Sequence, residues 1–232
     1  CAAAMTRRPS LPYPCLELVA RRRRCRGPLD AAVEQAVLGG VQLVELREKD
    51  LPASRLIGMA RRLREVTRGR ALLVVNDRVD VALASGADGV HLPEQGLPVE
   101  EARALLGTGR LVGRSVHSVA AAVAAARAGA DYAILGAIYA TASKPDARPA
   151  GPGIVAEAAR AVLQQAPDDA PMPLLAIGGI TAERVPEVMA AGAWGVAVIS
   201  AVLDAVDPAE AARRLRLALD AACVRPGNVV RR

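Results

Sequence analysis

The sequence predicts a single α/β domain folded as a closed (β/α)₈ TIM barrel, and three observations carry that prediction. Short apolar runs alternate eight times with alanine- and leucine-rich amphipathic stretches. Glycines end several of the amphipathic stretches, and polar residues gather at the ends of the apolar runs. Continuous apolar strands suit a parallel sheet covered by helices. Eight repeats within 232 residues suit a barrel closed on itself.

In chain order, strands are expected over 16–20, 41–47, 71–76, 89–92, 111–115, 132–136, 174–177 and 195–200. Helices are expected over 29–38, 53–66, 79–84, 99–106, 119–128, 154–165, 182–191 and 209–222. Gly39-Gly40 stops the first helix just before the second strand, and Ser85-Gly86 stops the third before the fourth. Ala128-Gly129-Ala130 and Ala191-Gly192-Ala193 do the same before strands six and eight. Glycine there accepts the left-handed conformation that closes a helix, and Asp88 and Asp131 then fall in the turns into their strands. Residues 1–15 read as an N-terminal extension, 16–222 as the barrel, and 223–232, which lack periodicity, as a C-terminal tail. The rival fold is an open doubly wound sheet. Eight repeats exceed its usual strand count, and no G-x-G-x-x-G turn follows the first strand.

Composition excludes several classes. Hydrophobic residues make up 52% and charged residues 23%, as in a soluble protein with a sizeable core. Every apolar run is interrupted before the ~18 residues that a membrane span needs, so no membrane partner is expected. The net charge of +6 is concentrated toward the ends, and with no Phe, three Tyr and one Trp there is little for nucleobases to stack on. Nucleic acid is therefore not an expected partner. Cys1, Cys15, Cys25 and Cys223 lack C-x-x-C spacing, which argues against zinc and a disulfide framework. The start, Cys1-Ala2-Ala3-Ala4-Met5, does not read as a secretory signal, so a cytoplasmic location is expected.

Barrel chemistry sits on the loops after the strands, so polar residues at strand ends matter most. They are Arg47 and Lys49 after strand two, Asn76 and Asp77 after three, and His91 near the end of four. Ser115 and His117 follow strand five, Thr141, Ser143 and Lys144 follow six, Gly178-Gly179 follows seven, and Ser200 follows eight. Lys49 and Lys144 are the only lysines in a chain that uses arginine freely, and both fall in this set. An ammonium is a compact point charge suited to gripping phosphate in a tight space. Gly178-Gly179 and Ile199-Ser200 close the last two strands, where barrels commonly bind phosphate through backbone amides. Arg47, Lys49, Thr141, Ser143 and Lys144 suggest a second anion site, hence one or two substrates bearing phosphate-like groups. His91, inside an apolar strand, reads more readily as a hydrogen-bonded core histidine than as a catalyst.

Six stretches carry a family resemblance. They are Val44-Glu45-Leu46-Arg47-Glu48-Lys49-Asp50, Val75-Asn76-Asp77-Arg78-Val79-Asp80 and Gly86-Ala87-Asp88-Gly89-Val90-His91-Leu92, followed by Gly129-Ala130-Asp131-Tyr132, Ala176-Ile177-Gly178-Gly179-Ile180 and Val196-Ala197-Val198-Ile199-Ser200. In this order they resemble the thiamin phosphate synthase and TenI family. In the synthase the resemblance implies joining of a pyrimidine methyl diphosphate to a thiazole phosphate, with Mg²⁺ helping the diphosphate leave. Arg47, Lys49, Asn76, Thr141, Ser143 and Lys144 would then surround the diphosphate and pyrimidine. Gly178, Gly179, Ile199 and Ser200 would hold the thiazole phosphate.

The departures favour the TenI side of the family. Synthases usually hold the metal with two aspartates; Asp77 matches the first, but Gly96 stands where the second belongs. Glu45 replaces the usual Gln, and Val19-Ala20-Arg21 replaces Val-Thr-Asp. Gly113-Arg114-Ser115-Val116-His117-Ser118 is similar to the TenI form. The leading expectation is thus a thiazole tautomerase that aromatises a carboxythiazole phosphate without a cofactor. His117 would carry the proton and Ser115 would contact the substrate; an imidazole of pKa ~6.5 suits that task. The alternative is the synthase, with Mg²⁺ on Asp77. A third reading is a non-catalytic thiazole-phosphate binder. A homo-oligomer stays open.

Overall fold

The computed structural model describes residues 9–141, 148–166 and 170–223. Eight parallel strands, β1 (Cys15–Ala20), β2 (Leu43–Leu46), β3 (Leu72–Asn76), β4 (Gly89–Leu92), β5 (Leu111–Val116), β6 (Tyr132–Leu135), β7 (Leu174–Ile177) and β8 (Gly195–Val198), pair in sequence order. β8 pairs back onto β1, with Leu18 opposite Val198, so the sheet closes as the sequence predicts. The described helices are α1 (Leu29–Leu38), α2 (Ala53–Thr67), α3 (Val79–Ser85), α4 (Val99–Leu106), α5 (Val119–Arg127), α6 (Gly153–Leu163), α7 (Val185–Ala190), α8 (Ser200–Leu203) and α9 (Pro208–Ala222).

Two separate apolar layers hold the barrel. The larger fills the space between strands and helices, with Leu16, Leu18, Leu46, Leu73, Leu92 and Leu135 all but inaccessible. The smaller lies inside the barrel and includes Cys15, Leu43, Val74, Leu111, Tyr132, Ile134, Leu175 and Ala197. Each fully buried Leu or Val contributes about 1.5–3 kcal/mol relative to an exposed one. Inside, Tyr132 fits only because β5 carries Gly113 opposite it: a Cβ there would come within 2.3 Å of the ring.

Asp88 and Asp131 act as staples between layers. Asp88 accepts from the Leu73 amide at 2.8 Å and from Arg64 of α2 at 2.9 Å. Asp131 accepts from the Val112 amide at 2.7 Å and pairs with Arg103 of α4. Each carboxylate thus ties a strand edge to a helix at the entry to the next strand. The helix stops take the expected form, since Gly40, Gly86, Gly129 and Gly192 all have positive φ.

Two expectations shift, and one turn is added. β8 ends at Val198, not at 200, because Ile199 (ψ −82°) turns the chain and Ser200 opens the short α8. The expected helix over 182–191 divides into a 3-10 turn, Ala182–Arg184, and α7, whose first turn contains Pro186 and so dispenses with an amide donor. Arg22–Arg24 form a 3-10 turn after β1. At the opposite end, Trp194 Nε1 donates to the Pro12 carbonyl at 2.9 Å and the Tyr13 ring packs edge-on against the indole. No helix among the described residues is long and apolar enough to cross a membrane.

Candidate active site

The strand ends β1 to β8 surround a cavity at the C-terminal mouth of the barrel. Of the residues expected to form a site, Arg47, Ser115, His117, Thr141, Gly178, Gly179, Ile199 and Ser200 line it together. Asn76 is buried beside it, with its amide oriented to donate to Glu45 Oε1 at 3.0 Å. Lys49 is exposed and outside the lining. Asp77 is exposed at the end of β3 with φ 66°, a left-handed backbone that Asp tolerates better than most residues. Ser143 and Lys144 lie outside the described residues.

The glycine pair is dictated by close approach as well as by conformation. Gly178 (φ 103°) lies so near the β6 loop that a Cβ would stand 2.8 Å from Ala137 Cα. At Gly179 (φ 63°) a Cβ would stand 2.5 Å from the Ala140 carbonyl oxygen. Tyr139 N–H donates to the Gly178 carbonyl, and Arg184 donates to the Gly179 carbonyl while packing over the Tyr139 ring. Tyr139 in turn donates to Glu187, and burial together with that bond pushes its phenol up to about 12.

The floor holds a network that position in the sequence only hints at. His91 is fully enclosed, with Nε2 2.8 Å from Ser115 Oγ and Nδ1 3.2 Å from the Tyr132 hydroxyl. Burial, helped by the fields of Arg47 and Arg114, drops its pKa to about 3, so the ring is neutral. Glu45, 2% exposed, lines the same floor, and burial raises its pKa to about 7 against the opposing pull of Arg47 and Lys49. Beneath it Glu17 is wholly buried, and neither carboxyl oxygen has a hydrogen-bond partner. Burial and the neighbouring Glu45 push Glu17 well above the usual carboxyl range, which keeps it protonated.

The sequence reading did not give Glu17 a role. Its signal is parity: in Cys15–Ala20 it shares the interior-facing face with Cys15 and Val19, a place where a charge is costly. Arg21, noted only as a departure, also lines the cavity.

His117 stands at the rim with its side chain 42% exposed. Its Nδ1 lies 2.9 Å from the Val116 carbonyl oxygen, so Nδ1 carries the proton of the neutral ring and Nε2 is the acceptor. Glu94 Oε2 is 3.9 Å from Nε2.

The donor set for Mg²⁺ is spare. Among the described residues no three His, Cys, Asp or Glu side chains converge as a metal site. One carboxylate suffices for a Mg²⁺ that brings its own waters and binds substrate phosphate oxygens, and Asp77 presents an exposed carboxylate directly after β3.

Comparison with known proteins agrees with this geometry. Residues 16–202 match the family described as thiamine monophosphate synthase. The thiamine-phosphate synthase of Methanoculleus marisnigri is 52% identical over 182 residues, spanning 78% of this chain and 83% of the relative. That of Anaeromyxobacter dehalogenans is 45% identical over 192 residues, 82% of this chain and 83% of the relative. Among solved structures, the thiamine phosphate pyrophosphorylase from Pyrococcus furiosus superposes with a TM-score of 0.80 at 34% identity, covering 90% of this chain and 96% of that one. A barrel with these six motifs, this mouth and relatives this similar belongs to the thiamine monophosphate synthase family, a family of enzymes.

Proposed function

We propose that the chain is a thiamine-phosphate synthase, coupling a pyrimidine methyl diphosphate to a thiazole phosphate with release of diphosphate. The observation that carries this reading is the polarity of the cavity. The buried carboxyl group of Glu45 lies in the floor beside His91, and two half-buried arginines, Arg21 and Arg47, stand toward the rim. The arginines attract anionic groups to the mouth, while the enclosed floor beside Glu45 and the neutral His91 suits an uncharged heteroaromatic ring, so the ring enters first and its phosphates stay at the mouth. The high identity to relatives bearing the synthase name supports the same reading. It moves the synthase ahead of the tautomerase expected from the sequence.

In the proposed step, the bond between the pyrimidine methylene carbon and the diphosphate oxygen breaks, and the electron pair leaves with diphosphate. The lone pair of the thiazole nitrogen forms the new carbon–nitrogen bond. Arg47 and Thr141 face the leaving group from the cavity wall; Lys49, and Ser143 and Lys144 from outside the described residues, are proposed to join them. Such donors are worth most where negative charge develops. Asn76 holds Glu45 in place at the ring end. Gly178, Gly179, Ile199 and Ser200 take the thiazole phosphate at the ends of β7 and β8. Asp77 would hold Mg²⁺ together with the diphosphate, where the ion supplies neutralisation of the leaving charge.

The test is to incubate the purified chain with both substrates and Mg²⁺ and identify the product by mass. Thiamine phosphate is the expected product, and its absence refutes the proposal. One observation keeps the tautomerase as a second reading: His117 reaches the same cavity with Nε2 as its acceptor nitrogen. Conversion of a carboxythiazole phosphate to its aromatic form, in the absence of coupling, would restore it.

A further inference from the structure

One charged residue of the cavity is left without a role by the family pattern. Arg21 stands directly after β1 and begins a run of four arginines. The other three turn to acids: Arg22 to Glu48 and Asp50, Arg23 to Asp50, and Arg24 to Asp204. Arg21 lines the cavity instead, half-buried, and its guanidinium has no hydrogen-bond or ion-pair partner among the described residues. Its backbone is fixed, since its carbonyl accepts from the Arg24 amide at 3.0 Å. A guanidinium that loses water without gaining an acceptor is destabilising until a ligand provides one.

The strand register says which ligand group lies nearest. Leu18 pairs with Val198 as the last pair of the β1–β8 ladder; Ile199 and Ser200 then leave β8, while β1 runs on to Ala20 and Arg21 follows it. On the other flank, the Arg47 amide donates to the Ala20 carbonyl at 3.0 Å, placing Arg47 on the β2 side, next to β3. Arg21 therefore stands between the wall formed by Gly178, Gly179 and Ser200 and the wall formed by Arg47.

We propose that Arg21 is a phosphate-binding residue that grips, from β1, the monophosphate held by Gly178, Gly179 and Ser200. The assignment rests on the thiazole-phosphate reading of that wall. Glycine amides and a hydroxyl supply neutral donors, whereas a guanidinium adds charge and a two-pronged fork matched to phosphate oxygens. Arg47 is left to the diphosphate.

Two measurements test this on the full chain. In the coupling assay, Arg21→Gln is expected to raise KM for thiazole phosphate about tenfold or more, the loss of one charge-assisted contact. KM for the pyrimidine diphosphate should stay within about twofold, and Arg21→Lys should recover part of the loss. An unchanged thiazole-phosphate KM, or a rise confined to the diphosphate substrate, overturns the assignment. Equilibrium dialysis of thiazole phosphate against wild type and Arg21→Gln gives the second readout, which does not depend on coupling. Weaker binding by the variant supports the assignment even if no coupling is seen, and equal binding overturns it.

Discussion

A Cβ placed on Gly96 would stand 3.0 Å from Oδ1 of Asp77. The β4 loop thus brings position 96 against the carboxylate that ends the β3 turn, so a carboxylate at 96 would complete a pair with Asp77. The same Cβ would be 2.8 Å from Pro93 Cδ, so the loop must yield slightly to admit it. Gly96→Asp is expected to tighten Mg²⁺ binding about tenfold or more, measured by calorimetry in the presence of diphosphate. Unchanged affinity would show that the loop does not deliver the second ligand.

Glu45 gives a pH dependence of stability with a definite sign. Its pKa is raised from 4.5 in the unfolded chain to about 7 in the fold. Between these values the folded state retains a proton that the unfolded state has lost, so stability falls as pH rises through this window and levels off above it. The shift corresponds to roughly 3 kcal/mol. Glu45→Gln, titrated with urea at pH 5 and pH 8, is expected to gain stability over wild type at pH 8 and little at pH 5. The same difference at both values would mean that Glu45 does not hold the proton.

His117→Ala separates the two readings of the cavity. The coupling step moves no proton, so under the synthase reading the rate should stay within about tenfold of wild type, a smaller loss than removing a general base or acid commonly brings. A loss of a thousandfold would show that His117 serves the coupling itself.

Gly113→Ala tests the interior packing. With Tyr132 Cζ 2.3 Å from the new Cβ, the ring must move, disturbing its contact with His91 Nδ1. A destabilisation of about 1–3 kcal/mol is expected in denaturant titration. Wild-type stability would show that the ring has room to shift.

The barrel was legible because each strand is a continuous apolar run and several helices end on a left-handed glycine. Only junctions moved, as at Ile199, where the turn depends on φ and ψ that apolarity does not encode. The site was legible where residue type and strand end coincide, as for Arg47, Ser115, His117 and Gly178. It was less legible where side-chain direction decides. Four consecutive arginines look alike in sequence, yet acids on neighbouring loops draw three away and leave Arg21 in the cavity. Gly96 points toward a tautomerase because a missing ligand is conspicuous in one sequence, whereas the six stretches resemble the synthase and TenI family as a whole and do not by themselves separate its members.

The central claim is coupling at the mouth of this barrel. Its most direct measurement is the yield of thiamine phosphate and of diphosphate from the two substrates, with Mg²⁺ and with the metal chelated. Equal amounts of both products, formed with Mg²⁺ and sharply reduced without it, are predicted. Neither product formed under either condition would contradict the account.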